Sequence, residues 1–399
     1  MIYNPRIINI KTQEQARNEL KKIKCEAAGA NIMSAKATFK TIKVEKVQSK
    51  AANILKQTFL SKGGEASITR GAADFTLEYT DVLLSGTIKQ YRQAISQLKM
   101  QPWGLAKLAA EIETVILATE EFPYREFSWE KCKLAIEPGH TLVMGILNIT
   151  PDSFSDGGRY FSIDAALRHA EQMIEEGADI LDIGAESTRP YGSEKVSAAE
   201  EMDRLLPVLE KVLDTFSIPV SVDTYKASVA GEALKAGAHI INDVWGLQYD
   251  PEMAKIVAQY DVPIVIMHNQ NHVEYERDIM SHICEFLRYS IEIGTTAGIE
   301  PNRVIIDPGI GFGKKPADNL IVMSRLNELC SLGCPILLGS SRKRFIGETL
   351  GLPPDDRMEG TGATVALGIS KGANIVRVHD VKAMVRIAKM TDAMINVAF

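Results

Sequence analysis

Residues 303–315 read RVIIDPGIGFGKK. Val304, Ile305 and Ile306 are apolar at successive positions, so a strand here has no wet face. A strand buried on both faces belongs to a parallel sheet covered by helices. The run turns polar at Asp307, and Pro308 and Gly309 end it. Seven other stretches from 141 onward have the same form: TLVMGILNI, DILDIGAES, IPVSVDT, HIINDVW, VPIVIMH, CPILLGSS and NIVRVHD. Segments of helical period, such as IDAALRHAEQMIEEGA and AAEEMDRLLPVLEKVLDTF, lie between most of them. Eight such units in about 260 residues fit an α/β fold of the (β/α)8 TIM-barrel kind better than an open sheet. Strand count read from pattern alone leaves an open doubly wound sheet as the alternative.

Polar residues collect at the C-terminal ends of these runs. They are Asn148, the set Glu186-Ser187-Thr188-Arg189, Asp223, Asn242-Asp243, His268, Asp307, Ser340-Ser341-Arg342-Lys343, Arg377 and His379. In a barrel all eight ends meet on one face, where the active site is built. Helix capping explains single members of the set. It does not explain a polar group at every strand end.

The rest of the chain sets bounds. The 399 residues are 45% apolar and 24% charged, an ordinary composition with ample core. No apolar run approaches the roughly 20 residues of a membrane span. The N-terminus, MIYNPRIINIKTQEQ, lacks the apolar region of a signal peptide. The five cysteines show no CxxC pair and no neighbours to complete a zinc set, which points to reduced thiols and a cytoplasmic protein. Residues 1–125 carry 19 Lys+Arg against 12 Asp+Glu, and residues 126–399 carry 26 against 39. No basic stripe or stacking motif accompanies the lysines, so nucleic acid is not an expected partner.

Two domains are expected. Residues 1–125 read as a small α/β unit, with RIINI, ATFKTIKVE, EASITR and DVLLSGT as strands. QEQARNELKKIKCEA, KVQSKAANILKQTFL and IKQYRQAISQL read as its helices. No catalytic constellation appears there. Residues 126–399 hold the barrel, and 120–140 form the junction.

Three regions carry chemistry. Residues 148–158, NITPDSFSDGG, make a polar loop too long for a plain turn. Its Asn148, Asp152 and Asp156 are oxygen donors of the kind that Mg2+ uses with a polyphosphate, although Asx-turns use the same residues. Phe154 in mid-loop suits a lid that excludes water. ESTRP at 186–190 and the cations Lys314-Lys315, Arg342-Lys343-Arg344 and Arg377 would draw a multiply charged anion to one face. Gly309, Gly311 and Gly313 let backbone approach a ligand. Asp223, Asn242 and Asp307 would point into the barrel mouth and offer a pocket to a flat heterocycle rich in N–H groups, with paired acid–base work as the rival reading. A buried Asp needs a partner, and Lys343 is the expected one.

NITPDSFSDGG, ESTRP, SVDT, NDV, DPGIGFGK, SSRK and RVHD, in that order, resemble dihydropteroate synthase over roughly 127–399. Residues 1–125 are absent from the usual bacterial form, and MHNQNHVEYER departs from the MHMxG-like run after strand five. The resemblance implies a pterin-binding barrel that joins 6-hydroxymethyl-7,8-dihydropterin pyrophosphate to 4-aminobenzoate with Mg2+. It places Asp223, Asn242, Asp307 and Lys343 on the pterin, and Asn148, Thr188, Arg377 and His379 on the pyrophosphate. It places Asn148 and Asp156 at the metal. Phe154, Thr188, Pro190, Phe312 and Ser341 fall on the aminobenzoate, with the helix N-terminus after Ser341 near its carboxylate. Asn148, Asp156, Asp223 and Lys343 become the catalytic set. The resemblance also implies a homodimer. A methyltetrahydrofolate–corrinoid methyltransferase shares the barrel and pterin pocket but needs neither the first-loop motif nor the pyrophosphate cluster. A silent binding scaffold would have lost Lys343, Asp307 or Asn148, and all three are present.

Overall fold

The computed structural model describes residues 3–149, 159–186 and 196–397, with side chains of the second stretch from Ile163. The described residues form two compact units, one up to residue 121 and one from residue 122 onward.

The first unit is built on a three-stranded antiparallel sheet. Its strands are β1 (Phe39–Gln48), β2 (Glu65–Ser67) and β3 (Tyr79–Thr87), in the order β1-β3-β2. Alternate residues Thr80, Val82, Leu84 and Gly86 are buried, so one face of β3 meets a core and the other meets solvent. Helices Ser49–Ser61 and Ile88–Leu98 supply that core through Leu55, Phe59, Ile88, Tyr91 and Leu98. Tyr91 buries its ring edge-on to Phe59 and donates its hydroxyl to the Leu84 carbonyl at 3.0 Å. RIINI forms no strand, because Ile7 is fully exposed and has no sheet to join. Helices Ala27–Ala37 and Leu105–Glu120 add to the three read from sequence.

The second unit opens with a hairpin, β4 (Arg125–Ser128) and β5 (Lys133–Ile136), within the stretch read as junction. Eight parallel strands follow: β6 (Leu142–Asn148), β7 (Ile180–Gly184), β8 (Val220–Asp223), β9 (Ile240–Asp243), β10 (Ile264–Met267), β11 (Val304–Asp307), β12 (Ile336–Leu338) and β13 (Ala373–Val378). They close into a barrel in sequence order, with β13 pairing β6. The open-sheet alternative is thereby excluded. Helices such as Ala198–Thr215 and Ile279–Ala297 wrap the outside, where Leu147, Leu181, Val222 and Ile306 pack against them.

The interior is graded. Its lower end is apolar: Met144, Ile180, Ile240, Val265, Ile305, Leu337 and Ile375 pack with Phe127, Leu134 and Ile136 of the hairpin. The hairpin therefore closes the bottom and keeps water from the core. Period two then carries polar side chains to the upper layers of the same strands. Asp182 and Ser221 pair laterally one layer up, and Asn148, Gly184, Asp223 and Asn242 pair in one row at the mouth.

Candidate active site

The mouth row sits at the C-terminal ends of four consecutive strands. Gly184 adds no side chain to the row; a Cβ there would make ordinary contact with Asp223 and Asn148 at 3.5–3.8 Å. Asp307 ends β11 opposite Met267 of β10, and Gly339 beyond β12 leaves the space between Asp307 and Arg377 clear. Asn242, Asp223 and Asp307 are all buried. The structure thus brings together the three residues read as a heterocycle pocket.

Asp223 has Arg377 as its hydrogen-bond partner, with the expected Lys343 acting on it as a nearby positive charge. Arg377 on β13 donates through Nη2 to Asp223 Oδ2 at 2.9 Å and through Nε to Asp182 Oδ2 at 2.6 Å. Asn242 donates its Nδ2 to the same Asp182 oxygen at 3.2 Å. Asp182 is completely buried and was missed by a reading confined to strand ends. Its signal was a lone Asp inside an apolar strand, two residues before Gly184 and hence on the same inward face. Burial raises the Asp223 carboxyl above its ordinary value; Arg377 works against this and Asp182 with it. Burial likewise raises Asp307 to about 6, opposed by the Gly309 N–H, Lys343 and Lys314.

Lys343 precedes helix Arg344–Leu350 and places its Nζ 4.2 Å from the Phe312 ring centroid. Phe312 packs with Tyr225, Val244 and Met267 beside the mouth. Gly311, at φ +84°, would press a Cβ against the Lys343 stem. Ser341 is buried, and its hydroxyl lies 3.0 Å from His379 Nδ1. Burial lowers His379 to about 4, with Arg377 and Arg342 acting in the same direction. His379 is therefore neutral at neutral pH.

The cations are less open than the sequence suggested. Arg342 is held by Asp380 through Nε at 3.0 Å and Nη2 at 2.6 Å, while Arg344 bonds Glu348 on its own helix and stays largely exposed. Lys314 points inward, giving its ammonium to His268 Nδ1, the Gly309 carbonyl and the Phe312 carbonyl at 2.8, 2.9 and 3.0 Å. The glycines also approach the protein itself: at φ +68°, Gly309 has no room for a Cβ against the His268 carbonyl. Steering by a cationic face therefore rests on fewer groups than were counted.

A second charged cluster lies beside the mouth. Lys226 Nζ donates to Glu186 at 2.7 Å, to Glu201 at 2.6 Å and to the Val196 carbonyl at 2.6 Å. Tyr225 adds a hydrogen bond to Glu186 at 3.0 Å. Glu186 and Val196 flank residues 187–195, so this cluster ties the two ends of that segment. Asp152, Phe154 and Asp156, and Ser187, Thr188, Arg189 and Pro190, lie outside the described residues. Among the described residues no group of three or more His, Cys, Asp or Glu could hold a metal, and no helix is long and apolar enough to cross a membrane.

The profile of the pterin binding enzyme family matches residues 144–379. The dihydropteroate synthase of Bacillus subtilis is 58% identical over 256 residues, 64% of this chain and 89% of its own length. The dihydropteroate synthase structure from Xanthomonas albilineans with 4-aminobenzoic acid is 42% identical with a TM-score of 0.64, covering 69% of this chain and 98% of that one. A probable bifunctional folylpolyglutamate synthase/dihydropteroate synthase of Halobacterium salinarum is 38% identical over 392 residues. That match spans 96% of this chain and 46% of the bifunctional protein, so it includes the N-terminal unit. Barrel, mouth and relatives agree: the chain belongs to the dihydropteroate synthases of the pterin binding enzyme family.

Proposed function

We propose that the barrel mouth joins 6-hydroxymethyl-7,8-dihydropterin pyrophosphate to 4-aminobenzoate, giving 7,8-dihydropteroate and pyrophosphate. The observation that carries this reading is the lateral row of Asn148, Gly184, Asp223 and Asn242, with buried Asp307 ending β11 on the same barrel face. Such a row offers acceptors to a flat ring whose edge is rich in N–H donors. Asp307 takes the 2-amino and N3–H edge, Asp223 and Asn242 hold the rest of the ring, and Lys343 donates to its acceptor side.

The C–O bond of the pterin methylene breaks first, and the electron pair leaves with pyrophosphate. Arg377, His379, Asn148 and Thr188 receive that group. Asp223, with Asp307, stabilises the positive charge left on the ring and methylene. The amine of 4-aminobenzoate already carries a lone pair, so it attacks the methylene without a strong base and then gives its extra proton to the departing pyrophosphate or water. Phe312 and Ser341, with Phe154 and Pro190, wall the aminobenzoate. Asn148 brings a neutral oxygen to the rim, a hard donor that suits Mg2+ with the Asp156 carboxylate. Bound there, the ion would supply charge neutralisation to the departing pyrophosphate. Assembly as a homodimer belongs to the same reading.

The test is direct. The full chain is incubated with the pterin pyrophosphate, 4-aminobenzoate and Mg2+, and products are separated by chromatography. Dihydropteroate and pyrophosphate are expected in equal amounts. Correctly folded protein that forms neither would overturn the reading.

A further inference from the structure

We propose that Asp182 is a positioning residue of the pterin pocket, deciding which atoms of Asn242 and Asp223 face the substrate. The inference rests on the reading of this mouth as a pterin site. Asp182 lies one layer below the row and is completely buried. Its Oδ2 accepts from Arg377 Nε at 2.6 Å and from Asn242 Nδ2 at 3.2 Å.

The first consequence concerns Asn242. Asp182 Oδ2 accepts both of these hydrogen bonds, and a carboxylate oxygen paired with a guanidinium has no proton to give. Asn242 must therefore turn its NH2 toward Asp182, and its carbonyl oxygen is left as an acceptor for the mouth. With a neutral or donating group at 182, the carboxamide would have no reason to keep this sense. It would then present N–H groups to a ligand edge that is itself a donor.

The second consequence concerns Asp223. Guanidinium and carboxylate pair most strongly as a two-pronged fork. Here the fork is split: Nε goes to Asp182 and Nη2 to Asp223. Asp223 therefore commits one oxygen to Arg377. Its Oδ1, like that of Asp182 below it, is buried without a partner among the described residues, and of the two only the Asp223 oxygen lies in the mouth row. A buried acceptor left unmet is costly unless a ligand donor meets it. Two carboxylates thus share one guanidinium. Arg377 thus acquires a structural duty beside its proposed pyrophosphate contact.

The experiment is Asp182→Asn in the full chain, read by calorimetric titration of 6-hydroxymethylpterin, steady-state kinetics and a thermal melt. Pterin affinity is expected to fall on the order of tenfold or more, the cost of one charge-assisted acceptor, with the KM for 4-aminobenzoate unchanged. In an Asn242→Ala background the same change should cost much less, because its effect passes partly through Asn242. If Asp182→Asn does not fold, Asn242→Asp probes the contact from the other side. It sets two carboxylates against each other and should weaken pterin binding in the same way. Folded Asp182→Asn with wild-type pterin affinity, equal losses for both substrates, or full additivity with Asn242→Ala would overturn the proposal; where Asp182→Asn does not fold, wild-type affinity in Asn242→Asp would do so. Wild-type protein that fails to bind the pterin would instead overturn the parent reading, and this one with it.

Discussion

Nζ of Lys314 lies 2.8 Å from Nδ1 of His268, with both residues buried and burial lowering the lysine to about 7. The contact crosses from the loop after β11 to the end of β10. Its other two bonds go to the carbonyls of Gly309 and Phe312, so one side chain pins the glycine-rich loop that carries Phe312 to the mouth. Burial lowers His268 well below its ordinary value, with Lys314 acting in the same direction.

Lys314→Met should therefore act on stability. It leaves two carbonyls and an imidazole nitrogen without their donor, at about 1–3 kcal/mol for each buried unmet group. A loss on the order of 3 kcal/mol is expected, read as a lower midpoint in denaturant with an unchanged slope. An unchanged midpoint would show that water replaces the ammonium and that the loop does not depend on it.

Two glycines of the same loop should separate stability from function. Gly309→Ala combines a positive φ with a collision against backbone, the His268 carbonyl. It should destabilise by more than the roughly 1 kcal/mol of an ordinary conformational cost. Gly311→Ala meets the flexible stem of Lys343 instead. It should cost less stability but weaken pterin binding by displacing that ammonium. Melts and titrations of both variants check the contrast.

Acid should weaken the barrel through His379. Its pKa in the folded chain is about 4 against 6.5 in the unfolded chain. The folded state thus binds fewer protons over this interval, and stability present above pH 6.5 is lost as pH falls through 4. At about 1.4 kcal/mol per unit the effect is on the order of 3 kcal/mol. His379→Gln should lose less stability than wild type between pH 6.5 and 4 in chemical denaturation. Parallel curves would remove His379 from the acid response.

The barrel should work without the first unit. Residues 122–398 have their own closed core, capped below by Phe127, Leu134 and Ile136. A chain beginning at Phe122 is expected to fold and form dihydropteroate at a rate near that of the full chain. A folded but inactive truncate would give the first unit a part in ordering the site.

The parts legible in the sequence were those that depend on local pattern. The eight barrel strands were readable because burial on both faces leaves no polar residue until the chain reaches the mouth. Asp223, Asn242 and Asp307 stood out for that reason. What the pattern did not show was partnership. Arg377 and Asp182 are nearly two hundred residues apart in sequence and meet only because β13 closes on β6 beside β7. The same closure gives Asp223 an arginine partner that the pattern did not show, beside the charge of the expected Lys343. Lys314 read as a surface cation because nothing in GFGKK shows which lysine turns inward. In the first unit, RIINI has strand-forming residues but no neighbour to pair with, and tertiary context overrides propensity.

The central claim is that Asp307 reads the pterin, and Asp307→Asn tests it most directly. In the folded chain Asp307 Oδ1 accepts the Gly309 N–H at 2.7 Å. The Asn oxygen can keep that bond, which leaves its NH2 facing the donor edge of the ligand. Losing one charge-assisted bond and opposing two donors should cost on the order of 3 kcal/mol, roughly a hundredfold in affinity. Calorimetric titration of 6-hydroxymethylpterin into wild type and Asp307→Asn, with a melt to confirm the fold, gives the answer. The account predicts that hundredfold loss in a folded barrel; wild-type affinity in the folded variant would contradict it and leave Asp307 only the turn that Gly309 closes.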